Sequence, residues 1–164
     1  MLIGIISDIH DHTANLRRAL ALLKAEPCTH LLCLGDIASV STLRLLAELW
    51  PHELDTVAGN NDYPQADFYD FCAREAPRIR YHGSSAELDL NGRRIYMVHE
   101  PTRALHAAEF GQFDAVFFGH THQAWHMTDG ATLIANPGDL QGRHGAPSFA
   151  LYDPAAHTLR YMRL

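Results

Sequence analysis

Side chains that bind metal ions occur at the ends of several apolar runs in this sequence. They form five short clusters: Asp8-Ile9-His10, Gly35-Asp36, Gly59-Asn60-Asn61-Asp62, the single His99, and Gly119-His120-Thr121-His122. Their carboxylate, amide and imidazole groups are oxygen and nitrogen ligands for divalent cations. Two such cations held about 3.5–4 Å apart form a site suited to phosphoryl transfer. The clusters therefore predict a metal centre that acts on phosphate esters.

The apolar pattern predicts how these clusters are brought together. Buried strands are expected at 2–7, 31–34 and 54–58, separated by amphipathic helices over 16–23 and 43–50. A β-α-β-α-β order implies a parallel sheet with right-handed crossovers. Because the carboxyl ends of parallel strands meet at one edge, we expect the clusters that follow these strands to converge there.

The second half of the chain is richer in strands. The pair Asn91-Gly92 predicts a hairpin between 87–90 and 94–98. A helix over 102–110 and further strands are predicted, the latter at 115–118, 131–135, 148–152 and 157–162. The sequence thus predicts one α/β domain over residues 1–164, with two mixed sheets packed face to face and helices outside. Loops 64–77 and 101–111 are expected to form the pocket walls.

Each cluster also has a simpler interpretation. Gly35, Gly59 and Gly119 each precede a proposed ligand by one residue, but glycine is common in any turn that follows a strand. Asp8 or Asp36 could cap a helix, although Asp11 and Thr13 suit the first helix better. Asn60 could be a turn residue. With 12 histidines in the chain, pairs such as His120 and His122 could arise by chance. Phe68, Tyr69 and Phe71 could stack on a nucleobase or belong to the core of a short helix.

Composition limits the function classes. The 164 residues carry a formal net charge of -6 and no long basic run, which argues against duplex nucleic acid or a membrane surface as partner. No apolar stretch approaches a membrane-spanning length, and the amino terminus has no basic region of the signal-peptide type. The 3 cysteines form no C-x-x-C pair, which favours a reducing, cytoplasmic setting.

The ordered clusters resemble the signature of calcineurin-like metallophosphoesterases. The chain is similar to the small YfcE-like phosphodiesterase branch in its length and in Asn136-Pro137-Gly138. The resemblance implies a four-layer α/β/β/α fold with a dinuclear centre between the sheets. It implies one cation bound by Asp8, His10, Asp36 and His122. The second cation would be bound by Asp36, Asn60, His99 and His120.

The same resemblance implies a mechanism and its alternatives. A hydroxide bridging the two cations would attack phosphorus in line, with Asp36, Asn60 and His99 at the reacting centre and Asp62 orienting His10 or a loop amide. Manganese is named first, with iron, zinc, nickel or magnesium as alternatives. The substrate would be a small phosphate ester, for instance a nucleotide, and the chain could form a homo-oligomer. A phosphomonoesterase or a non-catalytic interaction scaffold of the same fold are the competing predictions.

Three residues depart from the family pattern. Asn61 stands where many members carry a histidine that serves as a general acid. Glu100 follows His99 where glycine is usual, and Asp139 follows Asn136-Pro137-Gly138 where serine is usual. The two acidic residues add negative charge, and we expect them to affect substrate preference.

Overall fold

A computed structural model describes the whole chain, residues 1–164, as two facing β-sheets with helices on their outer sides. The first sheet contains β1 (Leu2–Ile6), β2 (Cys28–Cys33), β3 (Glu53–Thr56), β4 (Ile79–Tyr81), β10 (Ser148–Asp153) and β11 (Thr158–Arg163), in the order β11-β10-β1-β2-β3-β4. The second contains β5 (Ser85–Leu90), β6 (Arg93–Val98), β7 (Ala115–Phe117), β8 (Ala124–Asp129) and β9 (Thr132–Pro137), in the order β5-β6-β7-β9-β8. The helices are α1 (Thr13–Ala25), α2 (Val40–Leu49), α3 (Gln65–Glu75) and α4 (Pro101–Glu109).

The apolar strands bury both of their faces, as their continuous apolar runs predict. In β1, Ile3 and Ile5 enter the layer between the sheets, whereas Ile6 enters the layer beneath helices α1, α2 and α3. A smaller apolar cluster packs α4 against the second sheet. Strands β1 to β4 are parallel, as are β6, β7 and β9, while β10 and β5 add antiparallel pairs. The predicted four-layer arrangement of two mixed sheets is confirmed.

One predicted loop contains a helix, and the helix predicted over 102–110 is confirmed as α4 (Pro101–Glu109). Residues 64–77 contain α3, whose Phe68 and Phe71 are buried in the core while Tyr69 is about half exposed. Phe68 and Phe71 are therefore core residues and cannot stack on a substrate. The 101–111 wall is largely α4, which begins at Pro101. None of the four helices has the length and apolarity needed to cross a bilayer.

Two short strands were not predicted from the sequence. β4 has only three residues, and β8 is an edge strand in which every residue is exposed. The alternation of buried and exposed residues in β4 covers only three positions, and β8 buries no residue, so periodicity gives no usable signal for either strand.

A buried carboxylate ties three strands of the first sheet together away from the predicted metal centre. Asp55 on β3 is fully buried and accepts hydrogen bonds from both Nε and Nη2 of Arg80 at 2.8 Å. Its oxygens also lie 2.6 Å from Nε2 of His30 and 2.5 Å from Nε2 of His82. Burial by itself would raise the pKa of Asp55, but Arg80 and the two histidines outweigh burial and hold this pKa well below its usual range.

We expect Asp55→Asn to lower the free energy of unfolding by about 3 kcal/mol, because it leaves buried donors facing an uncharged amide. The folded-state pKa of Asp55 is depressed, so its contribution is complete above the unfolded value of about 3.9 and is lost as the pH falls below it. Urea denaturation at pH 7 and at pH 3 should therefore show a smaller difference between the two proteins at pH 3. Glu53→Gln is the matched control, since Glu53 pairs with the same Arg80 at the surface and should contribute less than about 1 kcal/mol. Equal effects of the two substitutions at pH 7 would contradict this account.

Candidate metal centre

The seven predicted ligands meet at one rim of the molecule, where parallel strands of both sheets end. Three strands of the first sheet deliver Asp8, His10, Asp36 and Asn60, which follow β1, β2 and β3. Two strands of the second sheet deliver His99, His120 and His122, which follow β6 and β7. Convergence at the carboxyl ends of parallel strands accounts for the whole cluster.

The backbone at this rim is held in an unusual conformation. Five of the seven residues have left-handed φ values: Asp8 (53°), His10 (45°), Asp36 (53°), His120 (68°) and His122 (58°). Non-glycine residues adopt this region rarely, and such residues cluster at functional sites. Gly35 (φ 95°) is required here because a Cβ atom would lie 2.5 Å from the backbone nitrogen of Gly59. The two strand ends can thus approach closely enough to bring Asp36 beside Asn60.

One half of the centre is formed by Asp8, His10, Asp36 and His122. Nε2 of His10 lies 3.4 Å from Oδ2 of Asp36 and 3.8 Å from Oδ1 of Asp8. Nε2 of His122 lies 3.5 Å from the same Oδ1 of Asp8. The rings of His10 and His122 are stacked with centroids 5.2 Å apart. Ligand atoms of Asp8, His10 and His122 all lie within 4.8 Å of one another, which is close enough to hold a metal ion, and the same is true of Asp8, Asp36 and His99.

The other half is formed by Asp36, Asn60, His99 and His120. Nε2 of His99 lies 3.5 Å from Oδ2 of Asp36 and 3.2 Å from Oδ1 of Asn60. Nδ1 of His120 lies 2.9 Å from the same Asn60 oxygen and 3.3 Å from Nε2 of His99. Asp36 therefore faces His10 on one side and His99 on the other through its Oδ2 atom. Asp8 also borders this half, because its Oδ2 accepts a hydrogen bond of 3.0 Å from the backbone nitrogen of His120.

The charge at the rim favours bound cations. Asp8, Asp36, Asp62 and Asp139 are all buried, and none of them pairs with an arginine or a lysine. Oδ1 of Asp8 and Nε2 of His10 are buried without any hydrogen-bond partner. Buried charges and unpaired polar atoms are costly unless a partner compensates them. Divalent cations would supply that partner, so the donor set fits two metal ions.

The pKa values of the imidazoles reflect the same excess of negative charge. Asp8, and after it Asp36, raises the pKa of His10 against the effect of burial. Burial lowers the pKa of His99, but Asp36 and Asp8 more than offset this and raise it. For Asp36 itself, burial opposes ionisation, yet His99 and Asn61 hold its pKa well below the usual range. Because a cation must displace protons from these imidazoles, its affinity should fall as the pH falls.

Asp62 holds the strand ends in place and does not contact His10. Its Oδ2 accepts hydrogen bonds from the backbone nitrogens of Asp36 and Gly59, each at 2.8 Å. Its Oδ1 accepts a hydrogen bond from the backbone nitrogen of Ala38, also at 2.8 Å. Burial raises the pKa of Asp62, partly offset by these amide donors. Of the two roles predicted for Asp62, the geometry corresponds to the orientation of loop amides.

The helix-cap alternatives for the acidic residues are wrong. The residue before α1 is His12, which makes no side-chain capping bond, and Ser39 caps α2. Asp11 instead accepts hydrogen bonds at 2.5 Å from Ser39 and from Thr42 of α2. Asp36 caps no helix and points into the cluster.

The three departures from the family pattern lie at the rim. Asn61 donates to both oxygens of Asp36, from its backbone nitrogen at 2.8 Å and from Nδ2 at 2.7 Å. Glu100 caps α4 by accepting a hydrogen bond from the backbone nitrogen of Arg103. Asp139, which follows β9, lies 2.9 Å from Nδ1 of His122. Asp139 was noted in the sequence, but its contact with a predicted ligand was missed.

Two clefts border different halves of the centre. The Arg163 cleft has a volume of about 410 Å³, and His122, Asp139, His144, Ser148 and Arg163 are among its lining residues. The Arg103 cleft has a volume of about 290 Å³, and its lining includes Asn60, Gln65, Ser84, His99, His120 and Arg103. Neither Arg163 nor Arg103 forms an ion pair with a carboxylate. Each cleft therefore offers an unpaired cation beside the centre.

Comparison with known proteins identifies the family. Residues 1–157 match the model of the calcineurin-like phosphoesterase superfamily domain, and the chain belongs to this superfamily. It is similar to the phosphodiesterase MJ0936 of Methanocaldococcus jannaschii, with 25% identity over 156 residues and 93% of each chain covered. The resemblance inferred from the clusters is confirmed.

Solved structures show that the fold is shared. A structure described as a novel archaeal phosphodiesterase matches with a TM-score of 0.92 and 23% identity over 100% of both chains. The E. coli phosphoesterase YfcE matches with a TM-score of 0.71 and 17% identity, with 99% of each chain covered. Vacuolar Protein Sorting 29 of Cryptosporidium parvum also matches, with a TM-score of 0.67 and 18% identity over 99% of this chain and 96% of the other. These likenesses show a shared fold, and a fold by itself does not assign a function.

Proposed function

We propose that this chain is a metal-dependent phosphodiesterase whose active centre is the rim formed by its two sheets. The observation that supports the proposal is the cluster of buried carboxylates that no arginine or lysine neutralises, surrounded by four imidazoles. This arrangement occurs in a chain of the calcineurin-like phosphoesterase superfamily. A protein that served only as an interaction scaffold would not need these ligands.

The ligands divide between two cation positions. Asp8, His10 and His122 would hold the first cation, and Asn60, His99 and His120 the second. Asp36 would contribute to both, as its contacts with His10 and His99 suggest. Manganese is proposed on the family resemblance, and iron, zinc, nickel or magnesium would also suit mixed oxygen and nitrogen donors.

The reaction follows from what each group can supply. Divalent cations held by these residues would lower the pKa of a water molecule and would offset the charge that develops on the phosphoryl oxygens. Asn60 and His120 are exposed at the mouth of the rim, so the phosphate can reach the centre from that side. Asp62 accepts hydrogen bonds from the backbone amides of Asp36 and Gly59 and so holds these two residues in position. Asn61 cannot donate a proton as an acid, so esters with good leaving groups should react best.

The clefts favour a diester over a monoester. A phosphodiester carries two substituents, and the Arg163 cleft and the Arg103 cleft border different cation positions. A monoester would leave one of them without a substrate group. A small diester, including one with a nucleoside substituent, is therefore the proposed substrate class.

Hydrolysis of bis-p-nitrophenyl phosphate tests this function. We expect the protein to be inactive after treatment with a chelator and to recover when Mn²⁺ is added. The diester should be cleaved with a higher kcat/KM than p-nitrophenyl phosphate, since both substituents have binding space.

Three results would contradict the proposal. Full activity in protein shown by elemental analysis to lack metal would exclude the mechanism. Failure to cleave either ester when two cations are bound would instead favour the scaffold interpretation. A preference for the monoester would transfer the assignment to the phosphomonoesterases.

A further inference from the structure

Asp139 extends the centre to a sixth parallel strand. It follows β9 and is buried, with 3% of its surface exposed. Its Oδ2 atom lies 2.9 Å from Nδ1 of His122 and accepts a hydrogen bond of 2.9 Å from the backbone nitrogen of Arg143. The left-handed backbone of Gly138 (φ 85°) directs the chain into this position. Apart from the predicted ligands themselves, Asp139 is the only acidic residue whose carboxylate contacts the imidazole of a predicted ligand.

This contact determines which nitrogen of the His122 ring carries the proton. An ionised carboxylate only accepts hydrogen bonds, so Nδ1 of His122 carries the proton and Nε2 keeps its lone pair. Nε2 is the atom that faces Oδ1 of Asp8 at 3.5 Å. Carboxylate partners of this kind fix the tautomer of a ligating histidine and strengthen it as a ligand.

In the half of the centre formed by His99, no carboxylate plays the part that Asp139 plays for His122. Nδ1 of His99 bonds the backbone carbonyl of Leu34 at 2.7 Å, which is a neutral partner. Asn60, the oxygen ligand that this half does not share, is also neutral. Asp8 and Asp36 lie near ligand atoms of both halves. The carboxylate that only the His122 half has is therefore Asp139.

We propose that Asp139 is a positioning residue that makes the two cation positions unequal, so that the His122 half binds its cation first and more tightly. The inference rests on the proposed metal centre but does not require that the chain hydrolyse any particular ester. It assigns a function to a departure from the family pattern, because the serine usual at this position carries no charge.

Calorimetric titration of chelator-treated protein with Mn²⁺ tests the proposal. We expect two classes of site in the wild type. Asp139→Ala should weaken the tighter class by about 10–100-fold and leave the weaker class nearly unchanged. Asp139→Asn should have a smaller effect, since both donors address the same oxygen and an amide oxygen can accept both bonds without the charge. Asp11→Asn is the matched control, because Asp11 lies at the same rim but contacts Ser39 and Thr42 instead of a ligand.

Two further measurements assign the tighter and the weaker binding site to the two halves of the centre. His122→Ala should abolish the tighter class and His99→Ala the weaker one. Anomalous scattering from crystals with one equivalent of Mn²⁺ should place the ion beside His122. Circular dichroism of each variant checks that the fold is kept.

Distinct outcomes would overturn distinct claims. One class of equal sites, an ion beside His99, or equal weakening of both classes by Asp139→Ala would refute the inference. Two unequal sites without esterase activity would refute the proposed function and leave the inference standing. Protein that binds no cation would refute both.

Discussion

Asp36→Asn should lower kcat/KM for bis-p-nitrophenyl phosphate by roughly 10³-fold or more, because it would remove the charge that the two proposed cation positions share. The amide has nearly the same shape as the carboxylate, and Asn61 can turn its side-chain amide to keep a hydrogen bond to it. The loss should therefore come from weaker metal binding and not from unfolding. Steady-state kinetics combined with elemental analysis of bound metal would show this directly.

Asp70→Asn provides the control for the Asp36 variant. Asp70 is an exposed carboxylate on α3 that lies 3.5 Å from Arg74, away from the rim. The activity and metal content of the Asp70→Asn protein should equal those of the wild type. An Asp36→Asn protein with activity within about tenfold of the wild type would show that Asp36 does not bridge the cations.

Gly59→Ala should also inactivate the protein, because there is no room for the added methyl group. A Cβ atom on Gly59 would lie 2.1 Å from Oδ1 and 2.2 Å from the backbone nitrogen of Asp36, far inside a normal contact. The end of β3 would have to move, and Asn60 would move with it. A displacement of about 1 Å at a reacting centre costs about 100-fold in rate, and crowding of a packed site costs about 1–3 kcal/mol of stability. Kinetics and thermal denaturation would measure the two effects.

Gly145→Ala is the matched substitution. Neither Gly59 nor Gly145 has a left-handed φ, and a Cβ atom on Gly145 would meet nothing within 4 Å. Gly145→Ala should therefore change neither the rate nor the stability. If Gly59→Ala behaved like Gly145→Ala, the close packing of the β2 and β3 ends would not be needed for activity.

The sequence predicted the strands that carry the donors better than the rest of the fold. The apolar run of β1 and the glycines before Asp36 and Asn60 are local signals, and the topology of parallel strands brings such ends together. The donors and their convergence follow from these signals. The division of the donors into two halves came from the family resemblance, and their role as ligands stays a prediction.

Other features depend on contacts that no local pattern encodes. The segment of α3 was assigned to a pocket loop, with a short helix as the alternative, because its polar residues obscure the apolar face of Phe68, Phe71 and Cys72, which the core buries. The contact between Asp139 and His122 spans 17 residues and depends on β9 lying beside β7. The amides bound by Asp62 could not be identified either, since Asp36 lies 26 residues away along the chain.

The left-handed backbone at the ligand positions affects the stability of the folded protein without bound metal. A left-handed conformation costs an ordinary residue about 1–2 kcal/mol, and here several adjacent strand ends adopt it together. Cation binding to the folded state repays part of that cost by mass action, about 2.7 kcal/mol when the free ion exceeds its dissociation constant 100-fold. A newly made molecule in a metal-poor setting is therefore more exposed to unfolding and proteolysis, and the supply of ions would regulate how much of the protein persists as well as how fast it works.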